Sequence, residues 1–449
     1  MALDVNIPIP TEPADSAPTL ERALGFWELV ATGVGIIVGA GIYVLIGSAT
    51  AEAGSAVWLA FIMAAFLSAT TGLSYCELAS MFPRAGAEYE YTRQAFPAWV
   101  AFAVGWVMTA ALVIASGAVA LGFARYLRYF VSLDVRMGAL LLLLGAAAIA
   151  LAGVGRSSRV TMLLSAIQVG GLLVVIGVGI DHVGDRNLLE SNGATGVLGA
   201  AALVFFAFIG FDEVATLSEE VRNPRRTVPL ALLVSLGVST VLYVGVAIVG
   251  VSVLGADALG SSERPLAAVM EHRVGGAAVG IIAAVAMIST TNTTILALTA
   301  ASRMTFGMAR DGVLPGLLAR VSRRTHVPAY AILAAALLAA SFAMIGDIAL
   351  VAGVTDVAIY LVFLATNGTL IVLRFKAPEA RRPFRSPLAV GRVPLLAVLG
   401  IASTLLMMTQ LDLRSLALGA LVLSAGLAAG WGGAAYRRRR SGGRTVATR

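Results

Sequence analysis

The sequence predicts an all-α polytopic membrane protein of about 12 transmembrane helices, arranged as a 5+5 inverted repeat plus two extra helices. Three observations carry that prediction. Apolar runs of bilayer-spanning length fill the chain, the first run is interrupted by glycine at its middle, and the sixth run carries a second irregularity at the matching place.

The chain has 449 residues, 59% of them hydrophobic, with a mean hydropathy of +0.89. A run of about 20 apolar residues is long enough to cross the hydrocarbon core as a helix. Such runs lie near 27–50, 55–81, 97–127, 136–154, 159–180, 196–221, 228–254, 274–302, 328–346, 351–374, 393–411 and 414–436. Residues 1–24 hold Pro8, Pro10, Pro13 and Pro18 among scattered acids, without a basic start leading to an apolar core. They read as a disordered cytoplasmic tail and not as a signal peptide. Residues 437–449 open with four arginines and read as a basic cytoplasmic tail.

The first run contains Gly33, Gly35, Gly39 and Gly41 within nine residues. Glycine is a poor helix former, and irregular backbone at bilayer depth is tolerated only inside protein or beside a water-filled cavity. Packing alone is the other reading, since Gly35 and Gly39 form a small-xxx-small pair. Four glycines exceed what one contact needs, so unwinding near Gly39 to Gly41 is preferred. The following half-helix would then present unpaired N–H donors suited to a carboxylate.

Five crossings are an odd number, so a second unit of five enters from the opposite side, which is the arithmetic of an inverted repeat. The units are 25–180 and 196–374, followed by 393–436. Segment six then corresponds to segment one, and its irregular stretch runs from Phe205 through Gly210 to Glu213. Free carbonyls near Phe208 to Gly210 would suit an ammonium group. Together the breaks would recognise both backbone charges of an amino acid.

The net charge of +7 follows membrane topology. With the N-terminus inside, 25 of the 32 basic residues fall on cytoplasmic loops and tails, leaving Arg125, Arg128, Arg136, Arg186, Arg264, Arg273 and Arg414 elsewhere. That is the positive-inside pattern, so both termini are assigned to the cytoplasm and nucleic-acid binding is not needed to explain the charge. Cys76 is the sole cysteine, which rules out an intrachain disulfide and a cysteine metal cluster. His182, His272 and His326 read as loop residues without metal spacing. Lys376, the sole lysine, reads as a loop residue with no phosphate-cradling sequence around it. No metal, no cofactor and no catalytic set is expected, and the activity is not that of an enzyme.

Several stretches resemble the amino acid-polyamine-organocation (APC) superfamily, most of all its cationic amino acid transporter-like branch. They are Gly39-Ala40-Gly41-Ile42, FFAFIGFDEVATLSEEVRNPRRTVP at 205–229, PRAGAEYEYTR at 83–93, RMTFGMARDGVLP at 303–315 and LRFKAPEARRPFRSP at 373–387. The resemblance implies a secondary transporter of amino acids in the cell membrane, working by alternating access. It implies that Ile37, Gly39, Ala40 and Gly41 hold the substrate carboxylate, and that Phe206 and Ile209, with the carbonyls up to Gly210, meet the ammonium group and side chain. Phe206 would also serve as an aromatic gate.

One departure stands out. Proton-coupled members of this branch carry a fifth-helix lysine at the place of Gln168, a side chain that does not titrate. A proton or a sodium ion stays open as the coupling ion. The candidates to take over are Asp212 with its neighbour Glu213, since intramembrane carboxylates are costly, and the hydroxyls of segment eight, Ser289, Thr290 and Thr293. The bland alternatives are pairing of Asp212 and Glu213 with Arg222, Arg225 or Arg226, and hydroxyls bonded to their own helix. Exchange needs no coupling ion and would explain Gln168 directly. An organic amine or polyamine exchanger and a transporter-like sensor remain as rival readings. The substrate side chain is expected to be neutral and not cationic, given Ala40, Phe206 and Ile209.

Overall fold

The first apolar segment breaks where glycine is densest. In the computed structural model, which describes residues 24–83, 87–152, 158–310, 314–322, 325 and 327–442, helix α1 (Phe26–Ile37) stops at Val38 and helix α2 (Ala40–Ala53) starts after Gly39. The two meet at 44°. Their four glycines face four different neighbours: Gly33 abuts Ser235, Gly35 abuts Ser165, Gly39 abuts Thr293 and Gly41 abuts Ala207. Spacing of two on a helix distributes side chains around it. The run therefore serves a break and four close approaches at once.

The remaining chain is helix after helix. After α3 (Val57–Met81), the short α4 (Ala87–Ala95) leads into α5 (Ala98–Leu127), α6 (Val135–Ala152) and α7 (Ser158–Gly179). The sixth segment runs as α8 (Gly193–Val204), a tight 3₁₀ turn over Phe205–Phe208 and the single-turn α9 (Glu213–Thr216). Then come α10 (Pro224–Leu254), the short α11 (Ala256–Gly260) and α12 (Pro265–Val274), α13 (Gly276–Arg310), α14 (Ala329–Ala343) and α15 (Ile348–Lys376). A two-residue hairpin, β1 (Ala389–Val390) with β2 (Val393–Pro394), precedes α16 (Leu395–Met408) and α17 (Leu413–Gly442).

Among the described residues eight helices are singly long and apolar enough to cross a membrane, and the α1–α2 pair passes as a bent unit. The α16–α17 pair turns by 118°, and α14 is a shorter apolar helix of 15 residues. All twelve expected segments thus coincide with helix, and the protein is an all-α polytopic membrane protein. Helix α5 is the central post, with 89% of its most apolar window buried against 33% for the span containing α7. Leu163, Leu173 and Val174 on α7, and Leu141 and Leu144 on α6, point outward, where lipid replaces water as the solvent.

Some sequence expectations are corrected. His272 lies within α12, and His182 closes a 3₁₀ turn over Ile180–His182, where it pairs with Asp185 at 2.7 Å. Lys376 is the last residue of α15, and its Nζ donates to the Ala95 carbonyl at 2.9 Å. An apolar run read alone ends where hydropathy falls, whereas the helix continues until its last carbonyls are met. The first six residues of the basic tail expected at 437–449 continue α17, which ends at Gly442. The rest of that tail, residues 1–23 of the tail expected at 1–24, His326, and parts of the family-like stretches at 84–86 and 311–313 lie outside the described residues.

Candidate functional site

The two breaks face each other across one small cavity. Its wall takes Ile36, Ile37, Gly39 and Gly41 from segment one and Phe206, Ile209 and Glu213 from segment six. Leu112, Ala115 and Val119 of α5, with Thr293, Leu296 and Ala297 of α13, complete it. The free volume is about 40 Å³, far below the several hundred Å³ usual for a ligand pocket. An amino acid enters only if the walls move.

Of the residues expected at the site, Ile37, Gly39, Gly41, Phe206 and Ile209 all line this cavity, and so does Thr293. Gly210 lies behind the wall against Ile36, in a conformation that favours glycine (φ +114°) and where a Cβ would come within 2.5 Å of the Ile36 side chain. Ala40 opens α2, and its side chain lies outside the described residues. Sequence reasoning missed the α5 wall: Leu112, Ala115 and Val119 look like any other apolar helix residues.

Local backbone explains the placement. The N–H of Gly39 turns back to the Ile37 carbonyl at 2.7 Å, so the chain leaves α1 abruptly. The first N–H groups of α2 are left without intrahelical partners and sit beside the cavity. On the opposite break the Ile209 N–H reaches the Phe206 carbonyl at 3.3 Å, and the chain then extends through Ile209 before Gly210 reverses it. The carbonyls there are less free than expected. The Tyr243 hydroxyl of α10 lies 2.9 Å from the Ala207 carbonyl and 2.6 Å from that of Ile37. No sequence signal marks Tyr243, because its importance comes from a contact between remote segments.

Gln168 is fully buried where α7 meets α1 and α13. In the amide orientation that satisfies both ends, its nitrogen donates to Val38 O at 2.7 Å and Gly35 O at 3.1 Å, and its oxygen accepts from Asn292 Nδ2 at 3.3 Å. The Tyr43 hydroxyl donates to the Gln168 backbone carbonyl at 2.8 Å, and Tyr126 donates in turn to the Tyr43 carbonyl at 2.6 Å. Ser289 donates to the same Val38 carbonyl at 3.4 Å. Thr290 and Thr293 bond within their own helix, to Ala286 at 2.8 Å and Ser289 at 3.1 Å. Among the segment-eight candidates Ser289 hydrogen-bonds across to the first break, while Thr293 packs against Gly39 and lines the cavity.

Asp212 is fully buried, and its Oδ1 accepts the Gly210 N–H at 3.0 Å, which closes the turn of the second break. Glu213, one residue on, is the carboxylate of the cavity wall. Asp356, also fully buried, stands one turn before Tyr360 on α15, and the Tyr360 hydroxyl donates to the Ala202 carbonyl of α8 at 3.2 Å. Among the described residues no group of three or more His, Cys, Asp or Glu is placed to hold a metal ion.

Known proteins resemble this chain over most of its length. The family described as amino acid permease matches residues 24–423. The chain is 31% identical to the branched-chain amino acid permease of Bacillus subtilis over 404 residues, covering 85% of this chain and 87% of that one. It is 31% identical to the methylthioribose transporter of Bacillus subtilis over 413 residues, 87% of this chain and 89% of that one. It is 30% identical over 388 residues to a vacuolar cationic amino acid transporter of Arabidopsis thaliana, 80% of this chain and 61% of the plant protein.

Proposed function

This chain belongs to the amino acid permease family of the APC superfamily, and on that premise we propose that it moves an amino acid across the plasma membrane by alternating access. It is a transporter and not an enzyme. The observation that carries the proposal is the cavity between two helix breaks. Donors at the start of α2 meet the substrate carboxylate, and carbonyls of the second break meet its ammonium group. The two five-helix units would rock about this point with both termini in the cytoplasm.

The wall supports a substrate with an apolar side chain. Ile36, Ile37, Leu112, Val119, Phe206, Ile209 and Leu296 surround the space, and a buried apolar wall penalises a charged group that it does not pair. The 40 Å³ volume supports reading the structure as a closed state, from which Phe206 and its neighbours retract to admit substrate.

Gln168 bears on the energy source. Its amide already supplies two donors to Val38 and Gly35, the carbonyls a cation between α1, α7 and α13 would use. That place therefore favours neither a titrating lysine nor a sodium ion. Exchange is one reading that follows, and coupling through another group is the second.

Reconstituted vesicles test the proposal. Preloaded with one unlabelled amino acid, they should take up the labelled form of the same compound in counterflow, with apolar members of a panel of twenty giving the strongest signal. Failure of every amino acid to exchange would sink the reading.

A further inference from the structure

Two fully buried carboxyl groups, Glu88 and Asp212, flank Tyr75 where segment six resumes its helix: the Tyr75 hydroxyl donates to Glu88, and its ring packs against Phe211, next to Asp212. Besides the Oδ1 bonded to Gly210, Asp212 has a second oxygen, Oδ2, with no hydrogen-bond partner among the described residues. Glu88, carried in by α4, is also fully buried; its Oε1 accepts the Tyr75 hydroxyl at 3.1 Å, and its Oε2 has no partner there either. Asp212 acts electrostatically on Glu88, and both act on Glu213 in the cavity wall.

The surroundings supply little positive charge. Tyr75 and Tyr91 face the pair from α3 and α4 and bring no positive charge. Glu90 pairs with Arg93 at 3.4 Å. Glu77 draws Arg374 and Arg382 to itself, and Lys376 is bonded to the Ala95 carbonyl. Among the described residues no hydrogen bond or ion pair brings a cation to Glu88 or Asp212; two neighbouring buried anions so placed are strongly disfavoured, and a shared proton relieves both the repulsion and the unpaired oxygens. Burial first and Asp212 second push the Glu88 carboxyl up to about 8. A metal ion does not fit, since the described acids offer no three-ligand set.

We propose that Glu88 and Asp212 form a binding site for one exchangeable proton, coupled to substrate through Glu213 and the Gly210 break, which makes transport proton-driven without a fifth-helix lysine. This rests on the transport reading above. The linkage is short: Gly210 N–H holds Asp212 Oδ1, Gly210 packs on Ile36, and Ile36 lines the cavity. Movement of that wall around a substrate changes the hydrogen bond that stabilises the Asp212 anion, and with it the affinity for the proton. One proton enters from one side with the substrate and leaves on the other, with no other bond made or broken.

The test uses vesicles containing the full chain, a trapped pH-sensitive dye, and whichever of the twenty amino acids gives counterflow. With the outside about two pH units more acidic, coupling of one proton per substrate permits accumulation of up to about 100-fold. The wild type should accumulate substrate, and substrate should carry protons inward, reported by the dye. Glu88→Gln, away from the cavity wall, should keep counterflow yet lose gradient-driven accumulation, and Asp212→Asn should lose accumulation as well. Counterflow without accumulation or proton movement in the wild type overturns this inference alone. Accumulation that survives in both variants overturns it as well. Absence of counterflow in the wild type removes the transport reading and this inference with it. The wild-type dye signal does not depend on whether either variant folds.

Discussion

The hydroxyl of Tyr243 lies 2.6 Å from the carbonyl oxygen of Ile37, the last residue of α1 before the first break. The same hydroxyl is 2.9 Å from Ala207 O in the second break. A phenol has one proton to give, so one fully buried side chain of α10 is shared between the two broken segments. Replacing it with Tyr243→Phe leaves both carbonyls without this donor. A loss of about 1–3 kcal/mol of stability is expected, along with slower counterflow. Thermal unfolding in detergent and vesicle exchange rates measure both, and an unchanged melting temperature would show that the carbonyls had found other donors.

Gln168→Lys places an ammonium where an amide now spans Val38 and Gly35. Lysine keeps donors for both carbonyls but adds a titrating group in a buried place. Uptake measured from pH 5 to pH 9 should acquire a pH-dependent component that the wild type lacks at this position. If no kinetic parameter moves, the site lies elsewhere.

Gly41→Ala sets a methyl group against the Cα and Cβ of Ala207, because the two segments touch there with only glycine on one side. Overpacking of this kind typically costs about 1–3 kcal/mol. Since the strain falls on the hinge of the cavity and not on the outer helices, counterflow should fall more steeply than thermal stability. Equal losses in both would mean that Gly41 is only a packing residue.

Glu77→Ala should be the most destabilising of these changes. Glu77 on α3 receives Arg374 Nε at 2.8 Å, the Arg382 guanidinium at 3.0 Å and the Ser386 N–H at 2.8 Å. It ties α3 to the end of α15 and to the loop leading to α16. Removing one partner of a buried ion pair costs about 3–5 kcal/mol because the other charge is left uncompensated. A large fall in melting temperature is expected, with Glu77→Gln intermediate.

The breaks themselves were legible from sequence because glycine acts locally: Gly33 to Gly41 weaken a helix whatever surrounds them. Phe206 and Ile209 were legible through their place beside the second irregularity and the family-like stretch around it. Leu112, Ala115 and Val119 were not, since nothing in an apolar helix says which face meets a cavity. The bland reading of Asp212 was its pairing with a loop arginine, whereas its bonded oxygen holds the Gly210 N–H. Chain proximity to Arg222 carries no information about a turn that folds the carboxylate back onto its own backbone.

By itself the sequence determined the all-helical membrane class, the positions of the apolar segments and the two places where they are interrupted. Hydropathy and glycine content act over a few residues and need no partner to be read. Only the tertiary structure decided that Tyr243 bridges both breaks, that Gln168 occupies the carbonyls of the first one, and that Glu88 from a short helix meets Asp212. Those relations join residues tens to hundreds of positions apart, and hydrogen bonds and charge interactions depend on distance in space and not along the chain.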